Sequence, residues 1–188
     1  MTDEARARSP LAGRAADLAA LDGTSRGAVV AAEVPFLSQI DVRTDTSNAR
    51  RLALPTEPNT VVEAEDRSVL WLGPDEWLVV AAPGRAGPVA EEIAAALSGV
   101  HHSVVDVSAN RAVIDVAGTR GRDVLSKGCP LDLHPRVWRP GMCAQSLLGR
   151  AQALLHERPL GTRLYVRPSF GDYVVDWLID AAREYAEE

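Results

Sequence analysis

The sequence predicts an α+β fold: duplicated β-β-α units around an antiparallel or mixed sheet. Two successive units carry this prediction, and a terminal amphipathic helix supports it. In the first unit, Val69–Leu72 and Trp77–Ala82 read as strands flanking the turn Gly73-Pro74-Asp75-Glu76, since Pro presets φ and Asp favours turns. A helix follows, with Pro88 near its start and Val89, Ile93, Ala96 and Leu97 on one face. Gly99 suits its end. The second unit repeats this order. Ser103–Val107 and Ala112–Val116 are strands around Ser108-Ala109-Asn110, and Thr119–Lys127 is a short helix ending at Gly128. Two such units around one sheet make a layered α+β sandwich.

The flanking segments are read in order. Residues 1–26 are polar, and Leu11 to Leu21 reads as a short helix whose face is mostly Ala, so it buries little area alone. It is expected to be an arm that orders only against something else, with 27–188 as the domain proper in two pseudo-repeated halves. Val29, Val30, Val34 and Phe36–Val42 read as strands interrupted by Pro35. Arg43–Arg51 reads as a polar connection, and Thr60–Ala64 as a further strand. Cys129–Gly141 holds four Pro or Gly residues and reads as an ordered loop. Cys143–Gly149 and Ala151–His156 read as a strand pair, and Thr162–Val166 as one more strand. Ser169-Phe170-Gly171-Asp172 resembles a capping box. It opens a last helix with Val174, Leu178, Ala181 and Tyr185 on one face, and the acidic tail Glu184, Glu187, Glu188 is expected to fray.

Composition excludes several function classes. A chain of 188 residues fits one domain and can bury roughly 70% of its unfolded surface without a staple. Of its 46% hydrophobic residues, 29 are Ala, which leaves roughly 30% larger apolar residues, an ordinary globular share. Twenty basic against twenty-six acidic residues give a net charge of −6, against the basic surface that nucleic-acid binding requires. The longest apolar run, Trp77–Ala82, is far below the ~20 residues of a membrane span. With no signal-peptide pattern at the start, a soluble, cytoplasmic protein is expected.

The search for chemistry is mostly negative. There is no dinucleotide fingerprint and no P-loop. Gly118-Thr119-Arg120-Gly121 stands between a strand and a helix, where backbone N–H groups can hold an anion; a plain turn is the favoured reading. His101, His102, His134 and His156 lack metal-ligand spacing. Cys129, Asp132 and His134 share a loop, with only Cys143 to add, and no metal site is predicted. Both cysteines read as small core residues. Asp106 and Asp115 lie in apolar strands and need partners; Arg111 is the expected one. Asp176 and Asp180 read as the solvated face of the last helix. Trp71 and Trp77 bracket the first hairpin, and Trp138 on its loop is a possible anchor for a partner.

Several of these motifs together resemble the gamma subunit of heterotetrameric sarcosine oxidase. Trp71-Leu72-Gly73-Pro74-Asp75-Glu76-Trp77-Leu78 is similar to that family's hairpin signature, and Val105-Asp106-Val107-Ser108 with Arg111 to its next one. Gly128-Cys129-Pro130-Leu131-Asp132-Leu133-His134-Pro135 is the most specific piece. Gly141, Cys143, Gln145–Arg150, Tyr165-Val166-Arg167, Ser169-Phe170 and the final helix continue it. The resemblance runs from about Ser9 to Tyr185. It implies a fold similar to the folate-binding module of the glycine-cleavage aminomethyltransferase. It also implies an accessory, non-catalytic subunit that stabilises the large alpha subunit, in a complex with beta and delta subunits. That complex oxidises sarcosine to glycine, passes the one-carbon unit to tetrahydrofolate and forms hydrogen peroxide. FAD, FMN, NAD and tetrahydrofolate are expected on the other subunits and none on this chain. Interface candidates are Leu11 and Leu18 in the arm, and Leu131, Leu133 and Trp138 in the loop. The alternative is a stand-alone tetrahydrofolate-binding or aminomethyl-transfer module, for which Asp106 is the candidate carboxylate.

Overall fold

The computed structural model describes residues 8–186 of the chain. Its helices are α1 (Ala15–Ser25), α2 (Thr46–Arg51), α3 (Ala86–Ala96), α4 (Gly121–Ser126) and α5 (Gly171–Ala182). Its strands are β1 (Val30–Glu33), β2 (Ser38–Arg43), β3 (Val61–Glu63), β4 (Arg67–Gly73), β5 (Glu76–Ala81), β6 (Ser103–Asp106), β7 (Ala112–Ala117), β8 (Cys143–Leu148), β9 (Ala151–Arg158) and β10 (Gly161–Val166). They form two five-stranded sheets, ordered β1-β7-β10-β9-β8 and β3-β4-β5-β2-β6. Every pairing is antiparallel.

The α+β class holds, but the second unit is not a second hairpin. β6 pairs with β2 in one sheet, whereas β7 pairs with β1 and β10 in the other. The chain changes sheets at Val107–Arg111, through a 3-10 turn at Ser108–Asn110. Two sheets therefore stand where one was expected.

Strand alternation places each residue in one of three apolar layers. On β7, Ala112, Ile114 and Val116 face α1, α4 and α5, and Val113 faces the other sheet. Leu70, Leu72, Leu78, Val80, Val113, Cys143, Leu154 and Tyr165 form the layer between the sheets. Ile40, Val42, Val69, Trp77 and Val79 lie beneath α2 and α3. Each such large side chain contributes about 1.5–3 kcal/mol by leaving water. The indole of Trp77 is fully buried and donates to the Pro55 carbonyl at 2.7 Å, which satisfies its single N–H.

Several local expectations change. The described part of the N-terminal segment is not a separate arm; residues 1–7 lie outside the described residues. Leu11, Leu18 and Leu21 are buried in the layer under α5. Arg14 holds the segment there through ion pairs to Asp172 and Asp176. The connection Arg43–Arg51 contains α2, whose N-cap Asp45 accepts from Asn48 N at 2.9 Å, the cap that starts so short a helix. No capping box opens α5. A 3-10 turn at Pro168–Phe170 precedes it without a side-chain cap, and Asp172 turns to Arg14 instead. Through Tyr185 the tail is held rather than frayed: Lys127 pairs with Glu184 at 2.5 Å and lies 4.9 Å from the Tyr185 ring centroid. Glu187 and Glu188 lie outside the described residues.

Candidate functional site

The space between the sheets has an apolar middle and a polar group at each end. At one end Asp115 accepts from Arg163 at 2.7 and 2.8 Å and from Arg158 at 3.2 Å. His156 belongs to this end. It is 1% exposed, and its Nε2 lies 3.0 Å from Glu63 Oε1 without hydrogen-bond alignment. Burial drives its pKa down to about 4, against the opposing pull of Glu63. Asp115 is thus paired, but with Arg158 and Arg163 in place of the expected Arg111.

At the other end the pairing is incomplete. Arg111 stands just before β7 and Arg167 just after β10, at one edge of a cleft of about 340 Å³. Gln145 and Leu147 of β8, Gln152 and Leu154 of β9, and Tyr165 of β10 also line it. Arg111 Nη1, the Tyr165 hydroxyl and Gln39 Oε1 are buried and have no hydrogen-bond partner. Burial lowers the Arg111 pKa, and the charge of Arg167 adds to that. Burial likewise pushes the Tyr165 hydroxyl up, against the pull of Arg163 beside it, and it stays protonated. Asp41 and Glu76 act on Arg111 through space, but Glu76 accepts from Arg43 at 2.6 Å and Asp41 lies 3.8 Å from it. Burial and the neighbouring Asp41 together raise the Glu76 pKa.

A second polar constellation fixes the Cys129–Gly141 loop. Glu157 on β9 is 1% exposed and accepts from Arg122 Nη2 at 2.5 Å, Trp138 Nε1 at 2.8 Å and Thr162 Oγ1 at 2.5 Å. The Trp138 indole is therefore docked inside this chain. Leu133 lies in the same core, and Leu131 is half-buried against it. Of the five interface candidates, Leu11, Leu18, Leu133 and Trp138 are used by the chain's own core. The exposed large apolar side chains are Phe36, Val62, Val105, Val137, Leu147, Leu160 and Phe170, with Leu160 at 89%.

The remaining sequence candidates fall apart chemically. Asp106 is exposed, and its Oδ1 accepts from Ser108 N at 2.9 Å and Ser108 Oγ at 2.5 Å; it does not line the cleft. The turn at Gly118 is closed by the chain itself. Arg120 N donates to the Ala28 carbonyl at 2.8 Å, and a Cβ on Gly118 would collide with that carbonyl. Both cysteines are buried and free, and burial raises the Cys143 thiol to about 12. Among the described residues no group of three or more His, Cys, Asp or Glu side chains could hold a metal, and no helix is long and apolar enough to cross a membrane. The pair Arg111 and Arg167, with no carboxylate between them, escaped the sequence reading. Its signal was Arg163-x-Tyr165-x-Arg167, which alternation places on one strand face.

Two sheets face to face with helices on both outer sides define a four-layer α+β module. The glycine cleavage aminomethyltransferase T of Bartonella henselae matches with a TM-score of 0.67 at 11% identity, over 88% of this chain and 49% of that one. The chain belongs to the sarcosine oxidase, gamma subunit family, whose model matches residues 41–184. A sarcosine oxidase subunit gamma from an Arthrobacter species is 39% identical over 175 residues, 87% of this chain and 85% of the relative. A chain in the structure of heterotetrameric sarcosine oxidase from Corynebacterium sp. U-96, in complex with pyrrole 2-carboxylate, matches with a TM-score of 0.87. It is 33% identical, over 96% of both chains.

Proposed function

We propose that this chain is an accessory, non-catalytic subunit of a flavin-dependent sarcosine oxidase complex and stabilises its large alpha subunit. The observation that carries this is the likeness to a chain of a heterotetrameric sarcosine oxidase over 96% of both chains. In this reading the complex converts sarcosine to glycine, passes the one-carbon unit to tetrahydrofolate and forms hydrogen peroxide. In the same reading FAD, FMN and NAD belong to the larger subunits, as the resemblance to the family implies. Stabilisation works by mass action, since a partner that binds only the folded alpha subunit draws it from its unfolded state. The contact is proposed on the face of the Cys129–Gly141 loop. There Leu131 and Leu160 line a cleft of about 860 Å³ and Val137 stands exposed nearby. A lasting interface of this kind buries on the order of 2,000 Å² or more.

The test is co-expression with the neighbouring large subunits, followed by size exclusion monitored at flavin wavelengths. Co-elution of this chain with a yellow, sarcosine-active complex, and loss of that complex without it, supports the reading. Separate elution with saturable tetrahydrofolate binding overturns it in favour of an independent folate module.

A further inference from the structure

We propose that the open end of the inter-sheet space binds a carboxylate, held between the guanidinium groups of Arg111 and Arg167. The two ends of this space differ in one respect. At the closed end Arg158 and Arg163 share Asp115. At the open end two guanidinium groups line one cleft, and no described carboxylate lies within ion-pair distance of Arg111 or Arg167. Arg167 donates to Asn110 Oδ1, a neutral acceptor that leaves its charge uncompensated. The charges of Asp41 and Glu76 reach Arg111 through space, and both are held by Arg43.

An orphaned donor points to a ligand. Arg111 Nη1 is buried and has no protein hydrogen-bond partner. A buried donor left unmade costs about 1–3 kcal/mol, more when charged, so such groups are normally satisfied. Two guanidinium groups and their doubled positive charge call for an acceptor with negative charge. The guanidinium fork matches a planar carboxylate in two-point geometry. At about 340 Å³ the cleft is at the lower end of the range for small-molecule sites. It admits a short carboxylic acid or an acidic side chain and is too small for a dinucleotide.

The carboxylate can come from a small molecule or from an acidic residue of another chain. The first arm uses this chain alone and does not rest on the assembly proposed above. Sodium malonate is titrated against sodium chloride at equal ionic strength, and the melting temperature is followed. Malonate raises it in a saturable way that chloride does not reproduce. Arg167→Gln, at an exposed side chain, folds normally and weakens the malonate midpoint about tenfold or more. Arg111→Gln abolishes it. An equal response to chloride, or an unchanged response in Arg167→Gln, overturns the proposal. The second arm repeats the malonate titration on the co-expressed complex. A retained response assigns the site to a free carboxylic acid. A lost response, with co-elution weakened by Arg167→Glu, assigns it to a partner's acidic residue.

Discussion

Replacing Glu157 by Gln tests whether one buried carboxylate holds the loop that carries the family's most specific motif. Glu157 Oε1 faces Arg122, and Oε2 faces both the Trp138 N–H and the Thr162 hydroxyl. An amide supplies one acceptor oxygen where the carboxylate supplies two. If the oxygen faces Trp138, the NH2 group points at the Arg122 guanidinium. If the oxygen faces Arg122, the NH2 group points at the indole N–H, although Thr162 can rotate to accept. Arg122 is 30% exposed and also donates to the Trp138 carbonyl at 3.0 Å, so it can recover hydration. Trp138 is 4% exposed and cannot. One charged hydrogen bond and one orphaned donor set the loss at about 3 kcal/mol. For a chain of this length that lowers Tm by roughly 6–12 °C. Thermal and urea unfolding measure it, and Trp138→Phe completes a double-mutant cycle with a coupling of about 1 kcal/mol or more. A Glu157→Gln protein within about 0.5 kcal/mol of the parent, or strict additivity with Trp138→Phe, refutes the reasoning.

Three further outcomes are expected. Gly128→Ala places a Cβ 2.5 Å from Trp177 Cζ2 and 3.0 Å from Gly149 N, so overpacking costs about 1–3 kcal/mol; an unchanged urea midpoint would show that α5 yields freely. His156, with its pKa depressed to about 4, stays neutral when folded while the unfolded chain takes up a proton below about 6.5. Its contribution is full above that pH and is lost as pH falls toward 4, by roughly 3 kcal/mol; His156→Phe removes this, so parent and variant showing parallel stability between pH 7.5 and 4 would contradict it. Leu160→Asp changes a side chain 89% exposed and leaves stability within about 0.5 kcal/mol, while reducing co-elution with the large subunits. Undiminished co-elution moves the interface elsewhere.

The strands were legible because period-2 patterning and Pro-Gly punctuation are local. β4, β5, β7, β9 and β10 stand close to the segments read from the sequence. The partner of β6 was not legible. Its neighbour β7 follows after one short turn, and nothing local says that the turn Ser108–Asn110 carries the chain to another sheet. Burial of Leu11 and Leu18 was missed for a related reason: the Ala-rich face of α1 is weak alone, and α5, which completes the layer, lies far away in sequence. Trp138 looked like an outward anchor because its acceptor, Glu157, belongs to a strand nineteen residues on. α2 was missed because six residues give too little periodicity, although Asp45 with Asn48 is an N-cap signal.

The two ends of the inter-sheet space rest on the same strand grammar with opposite results. Arg163, Tyr165 and Arg167 project to one side of β10 by alternation. Asp115 lies directly opposite Arg163 in the β7–β10 register, so that cation is matched across the ladder. Continuing two residues at a time, Tyr165 meets Val113, an apolar residue. Arg167 and Arg111 lie beyond the strand ends, where no cross-strand partner is supplied. Had residue 113 been acidic, the open end would be neutralised from within like the closed one. An apolar residue at that register leaves two guanidinium groups facing a cleft. Their counter-charge must then come from outside the chain. Val113→Asp therefore supplies an internal carboxylate on the same face as Arg111, and it should weaken the malonate response while both guanidinium groups remain in place.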